Sequence, residues 1–241
     1  MGADELTVRA YDFFEDHQEN WSADFRDYVL SRYVPEDKLD TFVTSFSELW
    51  VDGKKRRQDS KEMLAIKASI RDFDRLHTPS RAGRFVINQV DDCVAPLLTP
   101  AEMGAIFEAN RGLIDAFLPD YIDHLGDEVP NSLDELYVRR GVYMPAVDTV
   151  RRELHYLSSF SLALGPVEQF AQTWTTAMRD NGVPSIFSAP VSALQGRVVA
   201  FAPFIAGMDL GQLELVVAPP VEEMTLQNDG VYGEIHEFSF R

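Results

Sequence analysis

Residues 157–171, LSSFSLALGPVEQFA, place Ser158, Ser159 and Ser161 on a short extended segment that leads into a helix opening with Gly-Pro. Serine is a poor strand former and poor core filling, so grouped hydroxyls need hydrogen-bond partners wherever they are buried. If the segment is a strand, Ser159 and Ser161 share one face and Phe160 lies on the other. Two interpretations follow: an exposed edge strand, or a strand whose hydroxyls line a site.

The earlier and later parts of the chain predict different secondary structure. Residues 5–76 carry apolar and aromatic side chains at helical spacing, and Thr99-Pro100 is a cap for a second helical block. From residue 133 onwards, short runs rich in Val, Phe, Tyr and Leu predict strands, interrupted by one clear helix, GPVEQFAQTWTTAMRD. Helices followed by mostly antiparallel strands predict an α+β fold, with a helical N-terminal extension over residues 1–95.

The composition is that of a soluble globular protein. The 241 residues are 45% hydrophobic and 25% charged, and no run of about 18 apolar residues predicts a membrane span. The N-terminus lacks a basic region followed by an apolar run, so we expect no cleaved signal. Cys93 is the single cysteine, which excludes an internal disulfide and a cysteine-based zinc site. We therefore expect a cytoplasmic protein without a metal.

The charge distribution is uneven. A net charge of −17 argues against broad affinity for nucleic acid, because Lys and Arg dominate phosphate binding. Residues 54–95 nevertheless hold 10 Lys and Arg against 6 Asp and Glu, starting with the basic run Lys54-Lys55-Arg56-Arg57. This run is either a solvated turn or helix end, or a docking patch for an acidic partner.

A strand predicted over residues 212–217 carries two polar side chains. Alternation places Gln212 and Glu214 on one face, about 7 Å apart along the strand, with Leu213 facing the core. The polar face is either solvated or the wall of a cleft.

A second polar feature, Arg139-Arg140-Gly141, ends the predicted strand LYVRRGV. It is either an ordinary surface charge or a phosphate or ribose clamp. In the second case Gly141 would let a ligand approach the backbone.

These features occur in the order arginine strand, hydroxyl strand, helix, Gln-x-Glu strand, and in that order the chain resembles the mono-ADP-ribosyltransferases of the Arg-Ser-Glu class. The resemblance covers about residues 100–241. The first motif is Val138-Arg139-Arg140-Gly141, which puts the family's arginine on Arg140, and Arg139 replaces the usual tyrosine. The other matches are Ser159-Phe160-Ser161-Leu162 with PVEQFA, where Phe160 replaces a threonine, Gln212-Leu213-Glu214 with LVVAPP, and the hairpin strand VYGEIHEF.

The resemblance implies a fold and a chemistry. Residues 96–241 are expected to form an ADP-ribosyltransferase-like catalytic domain with a mixed, mostly antiparallel split β-sheet. NAD is the expected substrate, cleaved between nicotinamide and ribose through an oxocarbenium-like transition state that a carboxylate stabilises. The implied catalytic residues are Glu214, Gln212 and Ser159. The implied NAD-binding residues are Arg140, Gly141, Ser161 and Phe187, the last either stacking on nicotinamide or packing in the core.

The acceptor and the biological setting are further expectations. Gln212 carries no charge, so it suits a neutral acceptor better than a guanidinium, and the resemblance indicates a host protein modified by a phage or bacterial effector or toxin. Nucleic acid is less favoured as the acceptor because of the negative net charge. The rival hypotheses are an NAD glycohydrolase, a non-catalytic interaction or virion protein of the same fold, and an acidic helical binding protein or inhibitor.

Overall fold

The structure is a computed structural model that describes residues 3–50, 60–74, 90–91, 93–126, 136–144, 149–152, 157–172, 182–219 and 224–240. Among these residues, four α-helices precede the strands and two lie among them: α1 Ala3–Ser31, α2 Glu36–Thr44, α3 Lys61–Asp74, α4 Pro100–Leu125, α5 Leu164–Gln172 and α6 Val191–Leu194. A π-helical segment, Ser45–Trp50, continues α2. The helical spacing seen in the N-terminal sequence is therefore confirmed in the parts that are described.

Helix α4 begins where its sequence predicts. The Thr99 side chain accepts a hydrogen bond from the backbone N–H of Glu102, and the Glu102 carboxylate accepts one from the backbone N–H of Thr99 at 2.7 Å. Pro100 follows as the first helical residue, where its missing N–H costs nothing.

The strands form one eight-stranded sheet in the order β2-β7-β8-β4-β1-β3-β6-β5. Among the described strands, the β4–β8 pairing is parallel and the others are antiparallel. The bounds are β1 Tyr137–Met144, β2 Thr149–Arg152, β3 Ser158–Ser161, β4 Val183–Pro190, β5 Val198–Phe201, β6 Glu214–Val217, β7 Met224–Tyr232 and β8 Ile235–Phe240. Helices followed by a mixed, mostly antiparallel sheet confirm the predicted α+β fold.

The sheet is nearly divided in two between β1 and β3. On one side β1 pairs with β4 along its whole length, from Tyr137 to Met144. On the other side it meets β3 at one residue pair, Arg139 opposite Ser161. We call this junction the seam; it is the split that the resemblance implies.

The N-terminal helices share a hydrophobic core with the sheet. Phe14 of α1 contacts Phe117 of α4 and Phe201 of β5, with ring centroids 5.6 and 5.7 Å away, and the last two rings lie 5.6 Å apart. All three side chains are buried in one continuous apolar cluster. The core therefore extends across the boundary predicted at residue 95, and that boundary stays a prediction.

The strand predicted over residues 212–217 is shorter than expected. Gln212 ends a 3₁₀ turn, Leu213 has φ 42° and ψ 51°, and β6 begins at Glu214. Asp209 starts the turn by accepting a hydrogen bond from the backbone N–H of Gly211 at 2.8 Å. A left-handed leucine is uncommon, so the alternating pattern gave no sign of this turn. Leu213 is fully buried, as predicted.

Candidate active site

The seam opens into a cavity of about 210 Å³. Its polar lining consists of the side chains singled out from the sequence: Arg139, Arg140, Ser159, Ser161, Gln212 and Glu214. Three separate segments of the chain supply them, namely β1, β3 and the turn that leads into β6. The cleft-wall interpretation of these polar residues is therefore the one that the geometry supports.

Glu214 is a buried carboxylic acid, with 7% of its surface exposed. Burial raises its pKa above the ordinary value of glutamate, because the charged form loses hydration. Hydrogen bonds from Ser159 and Trp50 and the positive charge of Arg140 act in the opposite direction. The site therefore holds a partly desolvated carboxyl group with donors and a cation arranged around it.

Ser159 and Arg140 form the connection across the seam. The Ser159 hydroxyl bonds to Glu214, and the Ser159 carbonyl accepts a hydrogen bond from Nη1 of Arg140 at 3.0 Å. One residue of β3 is thus in contact with the carboxylate on β6 and with the guanidinium on β1. The resemblance implies that Ser159 holds the carboxylate and orders the site, and this role stays a prediction.

The Ser161 hydroxyl makes structural hydrogen bonds to backbone atoms. Its Oγ accepts a hydrogen bond from the backbone N–H of Ala163 at 2.9 Å and lies within bonding distance of the carbonyl oxygens of Ala163 and Gln212. The side chain is 7% exposed. The hydroxyl therefore ties the end of β3 to the turn that precedes Glu214, and direct contact of Ser161 with NAD stays a prediction.

Gln212 reaches the cavity from the turn, two residues before Glu214. Helix α1 holds this turn and the segment before it. The Tyr11 hydroxyl donates to the carbonyl oxygen of Gly211, and Gln18 Nε2 donates to the carbonyl oxygen of Met208 at 3.0 Å. Gln212 and Glu214 therefore share the cleft because of a fixed turn, and the alternation of a strand plays no part.

Gly141 lines the cavity, but helix packing explains why this residue is glycine. A Cβ at this position would lie 2.0 Å from the carbonyl oxygen of Val167 and 2.5 Å from the backbone nitrogen of Ala171, both in α5. These contacts are with backbone atoms and cannot be relieved by a rotamer change. Close packing of β1 on α5 therefore accounts for the glycine at this position. The expected approach of a ligand to its backbone, and binding of nicotinamide there, stay predictions.

Phe187 lies in the core and is fully buried. Its ring packs edge-on against Phe238 and Phe240, with centroids 6.0 and 6.1 Å away, and it does not belong to the cavity lining. Strand β4 is covered on both faces, so its phenylalanine cannot reach the cleft. The assignment of Phe187 to nicotinamide stacking is corrected to the core alternative.

Two aromatic residues that line the cavity were missed in the sequence. Phe170 on α5 is 51% exposed and borders the cavity together with Pro166 and Val167. Its place in PVEQFA was visible, but nothing in that pattern shows which way the ring points. Trp50 is buried and donates its Nε1–H to Oε1 of Glu214 at 2.8 Å. The two residues are 164 positions apart, and no local pattern links them.

Metal and membrane features were also sought among the described residues. Within those ranges, no group of three or more His, Cys, Asp or Glu side chains is arranged to hold a metal ion. The described helices include none with the length and apolar character needed to cross a bilayer.

Comparison with known proteins gives no sequence match. No known protein family and no curated protein matches the chain. Two solved structures align with all of the chain and with 85% of their own length. They are the ADP-ribosyltransferase Vis in complex with the M6 inhibitor, at 8% identity and a TM-score of 0.44, and the Vis toxin, an ADP-ribosyltransferase from Vibrio splendidus, at 12% and 0.40.

Proposed function

We propose that this chain transfers ADP-ribose from NAD to a macromolecular acceptor and releases nicotinamide. The observation that carries the proposal is the buried Glu214 carboxyl at the seam, bonded by Ser159 and Trp50 and facing the charge of Arg140. A carboxylate held in a desolvated cleft is suited to a reaction in which positive charge develops on the substrate.

The reaction breaks one bond and forms one. The bond between the ribose C1′ and the nicotinamide nitrogen breaks, and its electron pair leaves with neutral nicotinamide. The ribose then carries oxocarbenium character, which the Glu214 carboxylate stabilises more strongly than it stabilises bound NAD. The acceptor nucleophile attacks C1′, and the proton that it loses passes to water.

In this proposal Arg140 binds the anionic part of the substrate. Its guanidinium lines the cavity and is oriented by the Ser159 carbonyl. A guanidinium presents several donors in one plane, which suits phosphate oxygens. The cavity volume of about 210 Å³ is below the roughly 300–1,000 Å³ typical of pockets that enclose whole drug-sized ligands. It therefore suits the nicotinamide-ribose end of NAD, with the remainder outside.

Gln212 supports a neutral acceptor. It lies in the cavity lining beside Glu214, and its amide can donate and accept hydrogen bonds without carrying charge. Asparagine or glutamine side chains and nucleobases are acceptors of this kind, whereas a guanidinium would be better served by a second carboxylate. Because the net charge of −17 opposes nucleic acid, we propose a protein acceptor other than arginine.

The test is incubation of the protein with biotin-labelled NAD and cell lysate, followed by mass spectrometry of labelled molecules. We expect labelled protein, with the modified atom on a neutral side chain. Free ADP-ribose without labelled macromolecules would indicate a glycohydrolase. Label on arginine that persists in Gln212→Ala would show that Gln212 does not select the acceptor.

A further inference from the structure

The contact between Trp50 and Glu214 joins two distant parts of the chain inside the site. The indole Nε1–H donates to Oε1 of Glu214 at 2.8 Å. Trp50 is 6% exposed and Glu214 7% exposed, so solvent does not compete for this bond. An indole N–H can only donate, so the bond favours a carboxyl oxygen that accepts, and the ionised carboxylate is the stronger acceptor.

Aromatic side chains of the preceding helical residues hold Trp50 in place. It ends the π-helical segment Ser45–Trp50, and its ring packs on Phe46 with centroids 5.9 Å apart. Phe46 in turn packs on Phe42 of α2 at 4.9 Å. A π-helical turn alters where the last side chains of a helix point, and such turns are frequent at functional sites. The indole therefore reaches Glu214 from a rigid aromatic stack.

The two donors on Glu214 come from two distant parts of the sequence, both N-terminal to it. Ser159 on β3 belongs to the sheet, and Trp50 belongs to the N-terminal helices. With two hydrogen bonds and the charge of Arg140 nearby, the carboxyl group has little freedom to rotate. A group that stabilises a transition state electrostatically must be oriented before the reaction begins.

We propose that Trp50 is a positioning residue for Glu214, so that the N-terminal helices complete the catalytic site. This inference rests on the proposed function for its kinetic consequence, but the contact itself can be tested without NAD. The alternative is that Trp50 only fills space in the core.

The kinetic test is Trp50→Phe, which keeps an aromatic ring and removes the N–H donor. A hydrogen bond to a charged group is a substantial interaction, so we expect kcat to fall by about tenfold, with a smaller change in KM for NAD. The acid limb of the pH profile should move to higher pH, because loss of a donor to the carboxylate raises the Glu214 pKa further. Trp21→Phe is the matched control, because Trp21 packs on Phe13 and Phe117 and does not line the cavity.

The second test does not use NAD. The chain has three tryptophans, so Trp21→Phe with Trp174→Phe leaves Trp50 as the only indole. Its fluorescence should change as pH is varied, with a midpoint above the ordinary glutamate pKa, and Glu214→Gln should abolish this transition.

The outcomes separate the two proposals. An unchanged acid limb in active Trp50→Phe, or a Trp50 fluorescence that does not depend on Glu214, would overturn the positioning role. A Glu214-dependent fluorescence transition in a protein that never turns over NAD would keep the contact and reject the proposed function.

Discussion

The two halves of the sheet differ in how they are covered. In β3, β6 and β5, which have four residues each, every residue except Ser159 is buried. In the other half every strand except β2 is longer, and the β7–β8 hairpin exposes Val231 and Tyr232. The buried half carries the carboxylate and the serines, and the more open half brings Arg140. The difference shows how one site combines a desolvated acid with an arginine on an open cleft wall.

The short strands can be buried because helices cover them. Helices α1 and α4 pack against β5 and the segment that follows it, through rings such as Phe117, Phe201 and Phe204. Without that cover a carboxyl group at the start of β6 would be hydrated, and its pKa would stay near the ordinary value. The helices therefore bury the strand next to β6, in addition to the single contact that Trp50 makes with Glu214.

The largest expected effect on activity comes from replacing Glu214, the carboxyl group in the buried half of the sheet. Glu214→Gln is nearly isosteric and should lower turnover of NAD by about a hundredfold or more. As a control, Glu237→Gln on β8 of the other half changes a carboxylate that bonds Ser188 outside the cavity, and it should keep activity. Full activity in folded Glu214→Gln would remove this residue from the mechanism.

We also expect the folding stability of the wild type and of Glu214→Gln to depend differently on pH. Because the folded-state pKa of Glu214 is raised, the folded protein binds more protons than the unfolded chain between the two pKa values. Stability from this group is therefore lost as pH rises through that window. At neutral pH the melting temperature of Glu214→Gln should equal or exceed that of the wild type. The difference between the two melting temperatures should become smaller as the pH is lowered. A lower melting temperature at neutral pH would contradict this sign.

Gly141→Ala should break the packing of β1 in the open half. The added methyl group meets backbone atoms of α5 at 2.0 and 2.5 Å, so helix or strand must move, at a cost of about 1–3 kcal/mol. Gly112→Ala is the matched control, because nothing lies within 4 Å of its Cβ on an exposed position of α4. Denaturant unfolding compares the two, and equal stability would show that α5 is not tightly packed on β1.

Arg139 and Arg140 at the seam are expected to differ in their contribution to NAD binding. Arg140→Ala should weaken NAD binding by about tenfold, since a charge-assisted contact is lost, while Arg139→Ala should do much less. Calorimetric titration with NAD measures both. The reverse ranking would mean that Arg139 is the residue that contacts the ligand.

The smallest expected effect belongs to the basic run at residues 54–57, which lies outside the described residues. Reversing its four charges should leave cleavage of NAD intact and reduce labelling of an acidic acceptor, more so at low salt. Labelling that does not change with salt concentration would identify the run as an ordinary solvated segment.

The sequence predicted the parts of the site that local patterns encode. The order of helices before strands, the serines of β3 and the Glu214 carboxylate follow from periodicity and from a family resemblance, whereas strand β4 was not predicted. Trp50 could not be found in this way, because its partner is 164 residues away. The segment NGVPSIFSAP around Phe187 is predicted from its sequence to be a loop, but Val183–Pro190 forms strand β4 and Phe187 is buried, which is the core alternative. The Gln212 turn was hidden by Leu213, an apolar residue in a left-handed conformation.

The most direct test of the central claim is the release of free nicotinamide from NAD, measured by chromatography. Release is common to transfer and hydrolysis, so the result does not depend on knowing the acceptor. We expect the wild type to release nicotinamide, and Glu214→Gln, folded with the same or a higher melting temperature, to release it at least about a hundredfold more slowly. Equal release by the two proteins, or none by the wild type in the presence of lysate, would contradict it.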